Sequence, residues 1–353
     1  MNQDPFKEYL KETEPAKREK GYAWHTAIGL QDVDGLKPSG YLIDTAVRNI
    51  EGEITLAEAR ELLDRYYEEN QVSEEERRTE EADKVSVRIA QILSEKAFSF
   101  TAGEYISIHR RLFEDIYPHA GVIRDYNITK KEWVLNGASV TYGSASELRN
   151  TLEYDLAEEK KFSYRRLDID EIIHHLAVFT AGLWQIHVFG EGNTRTTAVF
   201  LIKYLRTLGF DVTNDSFAEH AWYFRNALVR ANYSDIKNGI YETTEYLERF
   251  LRNLLLEESN ELHNRDMHIS RLFKTQDDPI NDPINDPIKL SSREKDILNE
   301  MMFNSRVTRR ELAERLGCSD ATVKRAIASL TEKKMIRRSG ANKNGFWIIL
   351  KKQ

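Results

Sequence analysis

The sequence predicts a mainly α-helical protein, with one small β-hairpin inside a helical bundle and a winged helix domain at the C-terminal end. Helix-start signatures are frequent, because six segments place a Ser or Thr three residues before a Glu, the pattern of a capping box. Apolar residues then recur at helical spacing, as in Leu56, Ala59 and Leu63. The six signatures begin at Thr55, Ser73, Thr101, Ser144, Ser291 and Thr308.

Four segments follow from changes in composition. Residues 1–95 form an N-terminal helical segment, and residues 96–275 form the core that carries the chemistry. Residues 276–289 repeat the unit Asp-Pro-Ile-Asn, and proline disrupts both helices and sheets, so we predict an extended linker. Residues 290–353 form the winged helix domain.

Composition limits the cellular setting. A chain of 353 residues with 41% hydrophobic residues can build two or three domains without disulfides. A single cysteine, Cys318, and a charged N-terminus without an apolar signal region predict a cytoplasmic protein. No stretch approaches the roughly 20 apolar residues of a membrane span, so we expect no membrane partner. The oligomeric state stays open, with a homodimer as one alternative.

Charge is distributed unevenly. Residues 290–353 contain 15 Lys or Arg and 7 Asp or Glu, a balance of +8, whereas the whole chain carries −7. A basic C-terminal domain on an acidic body suggests that only this domain meets nucleic acid, although uneven charge can also serve solubility alone.

The candidate hairpin lies between Gly121 and Tyr142. Asn136-Gly137 is a strong turn dipeptide, and strands are predicted at 127–135 and 138–142. The hairpin is either a structural element or a flap that covers a binding groove.

The chemistry is predicted at the stretch from His187 to Arg195. A helical pattern over 168–186 precedes it, and another over 194–208 follows it, so Gly190 and Gly192 fall in a loop before a helix N-terminus. Helix N-termini present unpaired N–H groups that favour phosphate.

The side chains of this loop fit a nucleotide. Arg195 can grip phosphate oxygens through its planar fork, and Asn193 adds an amide donor. Glu191 is unfavourable beside phosphate unless a cation offsets its charge, and Mg²⁺ would do so. His187 can accept a proton near neutral pH. Phe189 is expected to turn inward. Five other histidines are not part of such a motif, and we interpret them as structural core or surface residues: His109, His119, His174, His175 and His220.

The stretch resembles the signature of the Fic family, His-x-Phe-x-Asp/Glu-Gly-Asn-Gly-Arg-x-x-Arg. Two positions differ from that signature, since Thr194 replaces a glycine and Ala198 replaces the second arginine. Arg124, three residues after Gly121, also resembles the Gly-x-x-Arg that leads into the family's flap. The matching residues are His187, Phe189, Glu191, Gly192, Asn193 and Arg195.

The resemblance implies a Fic helical bundle with a hairpin flap and transfer of AMP from ATP to a Ser, Thr or Tyr hydroxyl of a target protein. His187 would be the general base, and Glu191 would hold Mg²⁺. Trp133 and Val134 would be flap contacts to the target. The phosphate or ATP contacts implied, with the last two assigned to adenosine, are Gly190, Gly192, Asn193, Thr194, Arg195, Tyr223 and Asn226.

The departures leave regulation open. In the family, the second arginine contacts the γ-phosphate and pairs with an inhibitory glutamate, and Ala198 can do neither. Ile50-Glu51-Gly52 resembles the end of the inhibitory motif, with Val47 where Ser or Thr is expected. Glu51 is therefore either an inhibitor that uses other partners, such as Arg195 or backbone, or part of a loop. Thr194 would narrow the phosphate cradle or alter the nucleotide.

The last domain resembles a winged helix-turn-helix. Helices are predicted at 292–303, 309–316 and 320–333, and strands at 335–339 and 345–350. In this fold the third helix enters the major groove and the hairpin touches the DNA backbone, although such domains also bind proteins. The DNA-binding candidates are Thr322, Lys324 and Arg325 on the helix, with Arg337, Arg338, Lys343 and Asn344 near phosphates.

Three functions remain in competition. The first is a protein adenylyltransferase, autoinhibited and coupled to DNA binding. The second is a transcriptional regulator whose Fic-like body senses a nucleotide and catalyses weakly, which Thr194 and Ala198 favour. The third is de-AMPylation, in which the inhibitory glutamate positions water.

Overall fold

The computed structural model is mainly α-helical, which confirms the predicted fold class. The chain divides into two compact units, Met1–Ile284 and Asn285–Gln353. Within the part of the chain that the structure describes, the one sheet has two strands and belongs to the second unit. The structure describes residues 6–69, 76–272, 282, 291–333, 335–339 and 346–349.

The N-terminal segment of the first unit is helical. Thr55 confirms its predicted helix start, because its hydroxyl accepts from the Glu58 N–H at 3.2 Å and its own N–H donates to the Glu58 carboxylate at 2.7 Å. The predicted start at Ser73 lies outside the described residues. The helices are α1 (Phe6–Tyr9), α2 (Pro15–Gly29), α3 (Gly40–Ile50), α4 (Leu56–Glu69) and α5 (Glu76–Ser94), with a 3₁₀ helix at Leu30–Asp34.

The rest of the first unit is built around one buried helix, α9. Every residue from Asn193 to Leu205 of this helix is buried. A single hydrophobic core reaches from Phe6 to Met267 and so includes residues from both predicted segments of this unit. The helices are α6 (Ala102–Phe113), α7 (Leu148–Lys161), α8 (Ile169–Ile186), α9 (Asn193–Thr207), α10 (Ser216–Ala231), α11 (Glu245–Leu256) and α12 (Asn264–Met267). Short 3₁₀ helices lie at Trp133–Leu135, Ile236–Asn238 and Ile269–Leu272.

The helix start predicted at Ser144 is wrong. Helix α7 begins at Leu148, and no side chain caps it at Glu147. The N–H of Glu147 instead donates to the carbonyl of Ser144, which makes a turn before the helix. The start predicted at Thr101 is confirmed, since its hydroxyl accepts from the Glu104 N–H at 3.2 Å.

Residues 121–142, which we call the flap loop, form no strand, so the two strands predicted there are wrong. The turn itself is present, because Asn136 and Gly137 both have positive φ. A 3₁₀ helix at Trp133–Leu135 replaces the end of the first strand. Two backbone bonds close the loop, from the Glu132 N–H to the Ala138 carbonyl at 2.9 Å and from the Gly137 N–H to the Glu132 carbonyl at 3.0 Å. The side chain of Glu132 is fully buried, and this fixes the loop in a compact form.

The second unit has the elements of a winged helix domain, as predicted. Its helices are α13 (Ser292–Phe303), α14 (Arg309–Arg315) and α15 (Asp320–Glu332), and capping boxes at Ser291 and Thr308 begin the first two. Strands β1 (Ile336–Ser339) and β2 (Phe346–Ile349) pair antiparallel. Their apolar residues close a separate core that contains Ile297, Leu312, Val323 and Trp347.

Two further expectations concern the linker and membranes. The predicted repeat linker lies outside the described residues apart from Asp282, whose carboxylate accepts from the Trp222 indole at 3.1 Å. In the described part of the chain, no helix has the length and apolarity that crossing a membrane requires.

Candidate functional site

Helix α8 delivers His187 to the loop. The helix begins with a capping box between Asp168 and Glu171 and ends at Ile186. His187 follows as the C-terminal cap with φ of 51°, a left-handed conformation that is uncommon for residues other than glycine. Its carbonyl accepts a 2.7 Å bond from Nε of Arg124, so the Gly-x-x-Arg signature has a structural role at this turn.

The ring of His187 is buried but has no hydrogen-bond partner. The residue is 4% exposed, and its ring lies 4.2 Å from the ring of Tyr142 and 5.3 Å from that of Trp184. Neither ring nitrogen is bonded to another described residue. Burial, together with the positive charges of Lys130, Arg124 and Arg225, lowers the pKa of His187 well below its ordinary value. The imidazole is therefore neutral and able to accept a proton.

At Gly190 and Gly192, a side chain would collide with neighbouring aromatic residues. A Cβ on Gly190 would lie 2.7 Å from the Tyr126 hydroxyl, and one on Gly192 would lie 2.4 Å from the ring of Phe113. Gly192 also has φ of 75° and caps the N-terminus of α9. Aromatic side chains of the protein itself therefore lie close to the backbone at both glycines.

Asn193 closes the loop on itself. Its side-chain amide donates to the Phe189 carbonyl at 2.7 Å, and its side-chain oxygen accepts from the Phe189 N–H at 3.0 Å. The ring of Phe189 is buried, as predicted, and stacks 3.7 Å from the ring of His109. Asn193 therefore shapes the loop, and its side chain is already bonded within it.

Thr194 turns away from the loop. Its hydroxyl accepts a 3.0 Å bond from the indole N–H of Trp184, which ties α9 to α8. This bond explains why a threonine is accommodated at this position, and the side chain is 7% exposed. Ala198 lies one turn further along α9 and is fully buried, so no cation stands at that position.

Arg195 is held by residues from the N-terminal segment. The side chain is 1% exposed, and its Nη2 lies 2.6 Å from Glu81 and 2.9 Å from Asp34. Its Nη1 also donates to Gln31 at 3.0 Å. Burial by itself would lower the pKa of Arg195, but the charges of Asp34, Tyr117 and Glu81 outweigh it and raise the pKa, so the guanidinium stays charged. The two terminal nitrogens of Arg195 are thus occupied by the N-terminal segment, while its buried Nε has no partner among the described residues.

Glu191 is the exposed carboxylate of the loop. Its side chain is 56% exposed, and Lys130 of the flap loop lies 2.9 Å from its Oε2. One accessible carboxylate supplemented by nucleotide phosphates is a common way to bind Mg²⁺, so the residue fits that ion. Among the described residues, no group of three or more His, Cys, Asp or Glu could hold a metal by itself.

The loop lies within a segment that is similar to a known protein family. Residues 99–205, which contain α6 through most of α9, match the model of the Fic/DOC family. The chain contains a Fic domain. Residues 290–337 match a second model, described as winged helix-turn-helix DNA-binding.

A curated relative shares part of the Fic domain. The chain is 30% identical over 108 residues to the protein adenylyltransferase VbhT of Bartonella schoenbuchensis. The match covers 31% of this chain and 21% of the relative, so it spans about a fifth of that protein's length.

Glu51, the inhibitory candidate, pairs with residues of the N-terminal segment and not with the loop from His187 to Arg195. Its carboxylate accepts from Lys17 at 2.6 Å and from the Tyr9 hydroxyl at 2.7 Å. The ammonium of Lys17, followed by the Tyr9 hydroxyl, lowers the pKa of Glu51. The carboxylates that pair with Arg195 are Glu81 and Asp34, so the alternative in which Glu51 contacts Arg195 is wrong.

His109 supports the loop from His187 to Arg195 through two hydrogen bonds. Its Nδ1 accepts from the Gly121 N–H at 2.8 Å, which leaves Nε2 as the donor to the Glu191 carbonyl at 3.0 Å. Burial lowers the pKa of His109 to about 3, so the ring stays neutral and this tautomer is fixed. The prediction that His109 is structural therefore stands, although it touches the site.

The remaining predicted contacts are less accessible than expected. Tyr223 and Asn226 are buried in α10, and the amide of Asn226 donates to Asn264 at 2.8 Å, so the structure does not support their adenosine assignment. Val134 is fully buried, whereas Trp133 is partly buried with its ring 4.9 Å from His268, and the assignment of both as flap contacts stays a prediction.

The DNA-binding candidates are distributed over the wing and the third helix. Lys324 and Arg325 are exposed on α15, while the hydroxyl of Thr322 lies 2.9 Å from that of Ser319 at the start of the helix. Arg338 lies on β1 with its guanidinium 4.7 Å from the ring of Trp347. Arg337 is its neighbour on the strand, and Lys343 and Asn344 lie outside the described residues.

Sequence reasoning missed several residues of the site. Lys130, Glu81 and Asp34 carry no local pattern that marks them. Tyr142 and Glu132 were within the predicted hairpin, but their roles depend on the folded loop.

Proposed function

We propose that the chain is a Fic-type protein adenylyltransferase, which transfers AMP from ATP to a Ser, Thr or Tyr hydroxyl of a target protein. The Fic domain and the similarity to the protein adenylyltransferase VbhT support this reaction class. The observation that carries the proposal is the neutral His187 ring, which stands at the head of the loop with both nitrogens unbonded to described residues.

In the proposed reaction, His187 accepts the proton of the target hydroxyl. The hydroxyl oxygen forms a bond to the α-phosphorus, the bond from that phosphorus to the bridging oxygen breaks, and pyrophosphate leaves. A base of lowered pKa is deprotonated throughout the physiological range. The negative charge of a bound triphosphate would raise its pKa toward the range where proton transfer is efficient.

The N-terminus of α9 would receive the phosphates. Its first helical bond in this turn runs from the Thr196 N–H to the Gly192 carbonyl, so the N–H groups of residues 193–195 lack helical acceptors. Such a terminus stabilises anions. Glu191 would hold Mg²⁺, which supplies positive charge to the phosphate oxygens when bound.

The proposed enzyme is restrained by its own N-terminal segment. Glu81 and Asp34 neutralise Arg195, the arginine that the family signature places at the phosphates. A triphosphate would therefore compete with two carboxylates for this side chain. We assign the inhibitory role to this pair of carboxylates.

Labelling with ATP tests the proposal. The full chain, incubated with labelled ATP, magnesium and lysate, is expected to label itself or a target, and His187→Ala is expected to abolish the label. His174→Ala is the matched control, because His174 is exposed on α8 and pairs with Glu248. Absence of any His187-dependent label with any nucleotide would refute the proposal.

A nucleotide-sensing regulator is the second candidate. Two features favour this regulator: Arg195 is paired with carboxylates, and position 198 is alanine. Both reduce the positive charge available to stabilise a transition state. This function predicts nucleotide binding without transfer, and the labelling experiment separates the two. De-AMPylation would require a glutamate that positions water, and the contacts of Glu51 with Lys17 and Tyr9 give it no support.

DNA binding by the second unit belongs to the same proposal. The match to a DNA-binding winged helix model and the net charge of +8 over residues 290–353 support it. We propose that this domain delivers the Fic domain to DNA or reports its state to a promoter.

A further inference from the structure

The flap loop brings a lysine into the Fic site. Lys130 is partly buried, with 23% of its side chain exposed, and its Nζ lies 2.9 Å from Oε2 of Glu191. Its backbone N–H donates to the Ser139 hydroxyl at 3.2 Å across the loop. The Lys130 ammonium therefore pairs with the Glu191 carboxylate, two residues before the start of α9, where the phosphates are proposed to bind.

A buried carboxylate two residues away fixes this placement. Glu132 is fully buried, its Oε1 accepts from the Tyr142 hydroxyl at 2.9 Å, and its Oε2 lies 2.7 Å from Arg225. The ring of Tyr142 in turn packs against His187. Lys130 and the proposed base are thus held by one connected set of contacts, so their separation is defined by the fold.

The other cations of the site are committed to the protein. Arg124 donates to the backbone carbonyls of His187 and Gly143, while Arg195 and Arg225 pair with carboxylates. Position 198, where the signature has an arginine, is alanine. Lys130 differs from these because its partner is the carboxylate that a nucleotide and its cation would approach. A triphosphate at the end of α9 would meet its ammonium.

We propose that Lys130 is a catalytic residue that binds the nucleotide's phosphate oxygens and supplies the charge missing at Ala198. This inference rests on the proposed function. As the target oxygen bonds to the α-phosphorus and the bond to pyrophosphate breaks, the ammonium stays protonated and donates hydrogen bonds to the oxygens that gain charge. The proton of the target hydroxyl goes to His187.

ATP binding measured by calorimetry, with EDTA and without magnesium, tests this contact apart from turnover. Lys130→Met is expected to weaken ATP binding about ten- to a hundredfold, the effect of losing a charge-assisted hydrogen bond. Lys130→Arg is expected to keep most of the affinity. Lys131→Met is the matched control, since Lys131 is exposed on the same loop, and its affinity is expected to stay within about twofold of the parent's.

The same measurement in a Glu191→Gln background excludes a role that is only indirect. If Lys130 merely neutralised Glu191, removing both charges would restore affinity, and Lys130→Met would have no effect in that background. Direct contact predicts that Lys130→Met still weakens binding by about tenfold there. An unchanged ATP affinity for Lys130→Met in either background would overturn the inference.

Labelling distinguishes the two levels of the proposal. If the parent binds and transfers AMP in a His187-dependent way and Lys130→Met does both equally well, only the assignment of Lys130 fails. If the parent neither binds ATP nor labels, the proposed function fails and this inference fails with it. Melting temperatures of the variants show whether each has kept its fold.

Discussion

At the scale of single residues, Arg195 combines a buried, paired guanidinium with a proposed role in regulation. A buried guanidinium without partners is very costly, and here two carboxylates and Gln31 pair with its two terminal nitrogens, while its buried Nε has no partner among the described residues. All three partners come from the N-terminal segment; the two carboxylates are only partly buried, whereas Gln31 is fully buried. In the proposed function, the two carboxylates would exchange for phosphate oxygens, and their partial exposure would let them move without exposing the hydrophobic core.

The first prediction at this scale concerns Glu81. Glu81→Gln is expected to raise ATP affinity and the labelling rate several-fold, because a neutral amide competes less with phosphate for Arg195. Calorimetry and labelling measure the two effects. Glu80→Gln is the control, since Glu80 pairs with Lys84 at 2.7 Å instead. Unchanged or lower affinity in Glu81→Gln would show that the carboxylate has no restraining role.

These residue contacts explain the limits of sequence reasoning at the site. Phe189, Gly192 and Asn193 could be placed because they act within a few residues of one another. The partners of Arg195 could not, because Glu81 lies 114 positions away and Gln31 lies 164 positions away. Pairing over such separations depends on the packing of whole helices, which local patterns do not encode.

At the scale of elements, helix starts were predictable where a cap was present. Thr55, Thr101, Ser291 and Thr308 all cap as their spacing indicates. The flap loop was not predictable in the same way. Its turn dipeptide was recognised, but the buried Glu132 binds Arg225 and Tyr142 and draws the loop into a compact turn instead of a strand pair.

The bond between α8 and α9 gives a prediction about Thr194. Thr194→Val keeps the shape of the side chain but leaves the buried indole N–H of Trp184 without its acceptor. We expect a loss of about 1–3 kcal/mol in the free energy of unfolding, measured by urea denaturation. Thr194→Ser retains a hydroxyl and should lose less. Equal stability of the valine variant and the parent would contradict the role given to this bond.

At the scale of the whole molecule, charge separates the two units. The acidic first unit holds the Fic domain, and the basic second unit holds the winged helix, as composition predicted. For the full chain, Lys324→Ala and Arg325→Ala are each expected to weaken binding to DNA fragments. Each is also expected to reduce the slope of log affinity against log salt concentration by about one.

A gel mobility series at several salt concentrations measures this effect. Lys295→Ala, an exposed change on α13 with the same loss of charge, is the control and should leave affinity nearly unchanged. Equal binding by all three variants and the parent would place the DNA contact elsewhere or remove it.

The burial of α9 has a consequence for how such sequences are interpreted across genomes. Since this helix is the centre of the first unit, Phe189, Gly192, Asn193 and Arg195 are needed for folding whether or not any chemistry occurs. A copy that had lost its activity through drift would keep these four and be free to lose His187 and Glu191. Conservation of these four residues therefore indicates a folded domain. Retention of His187 and Glu191 would indicate an active enzyme.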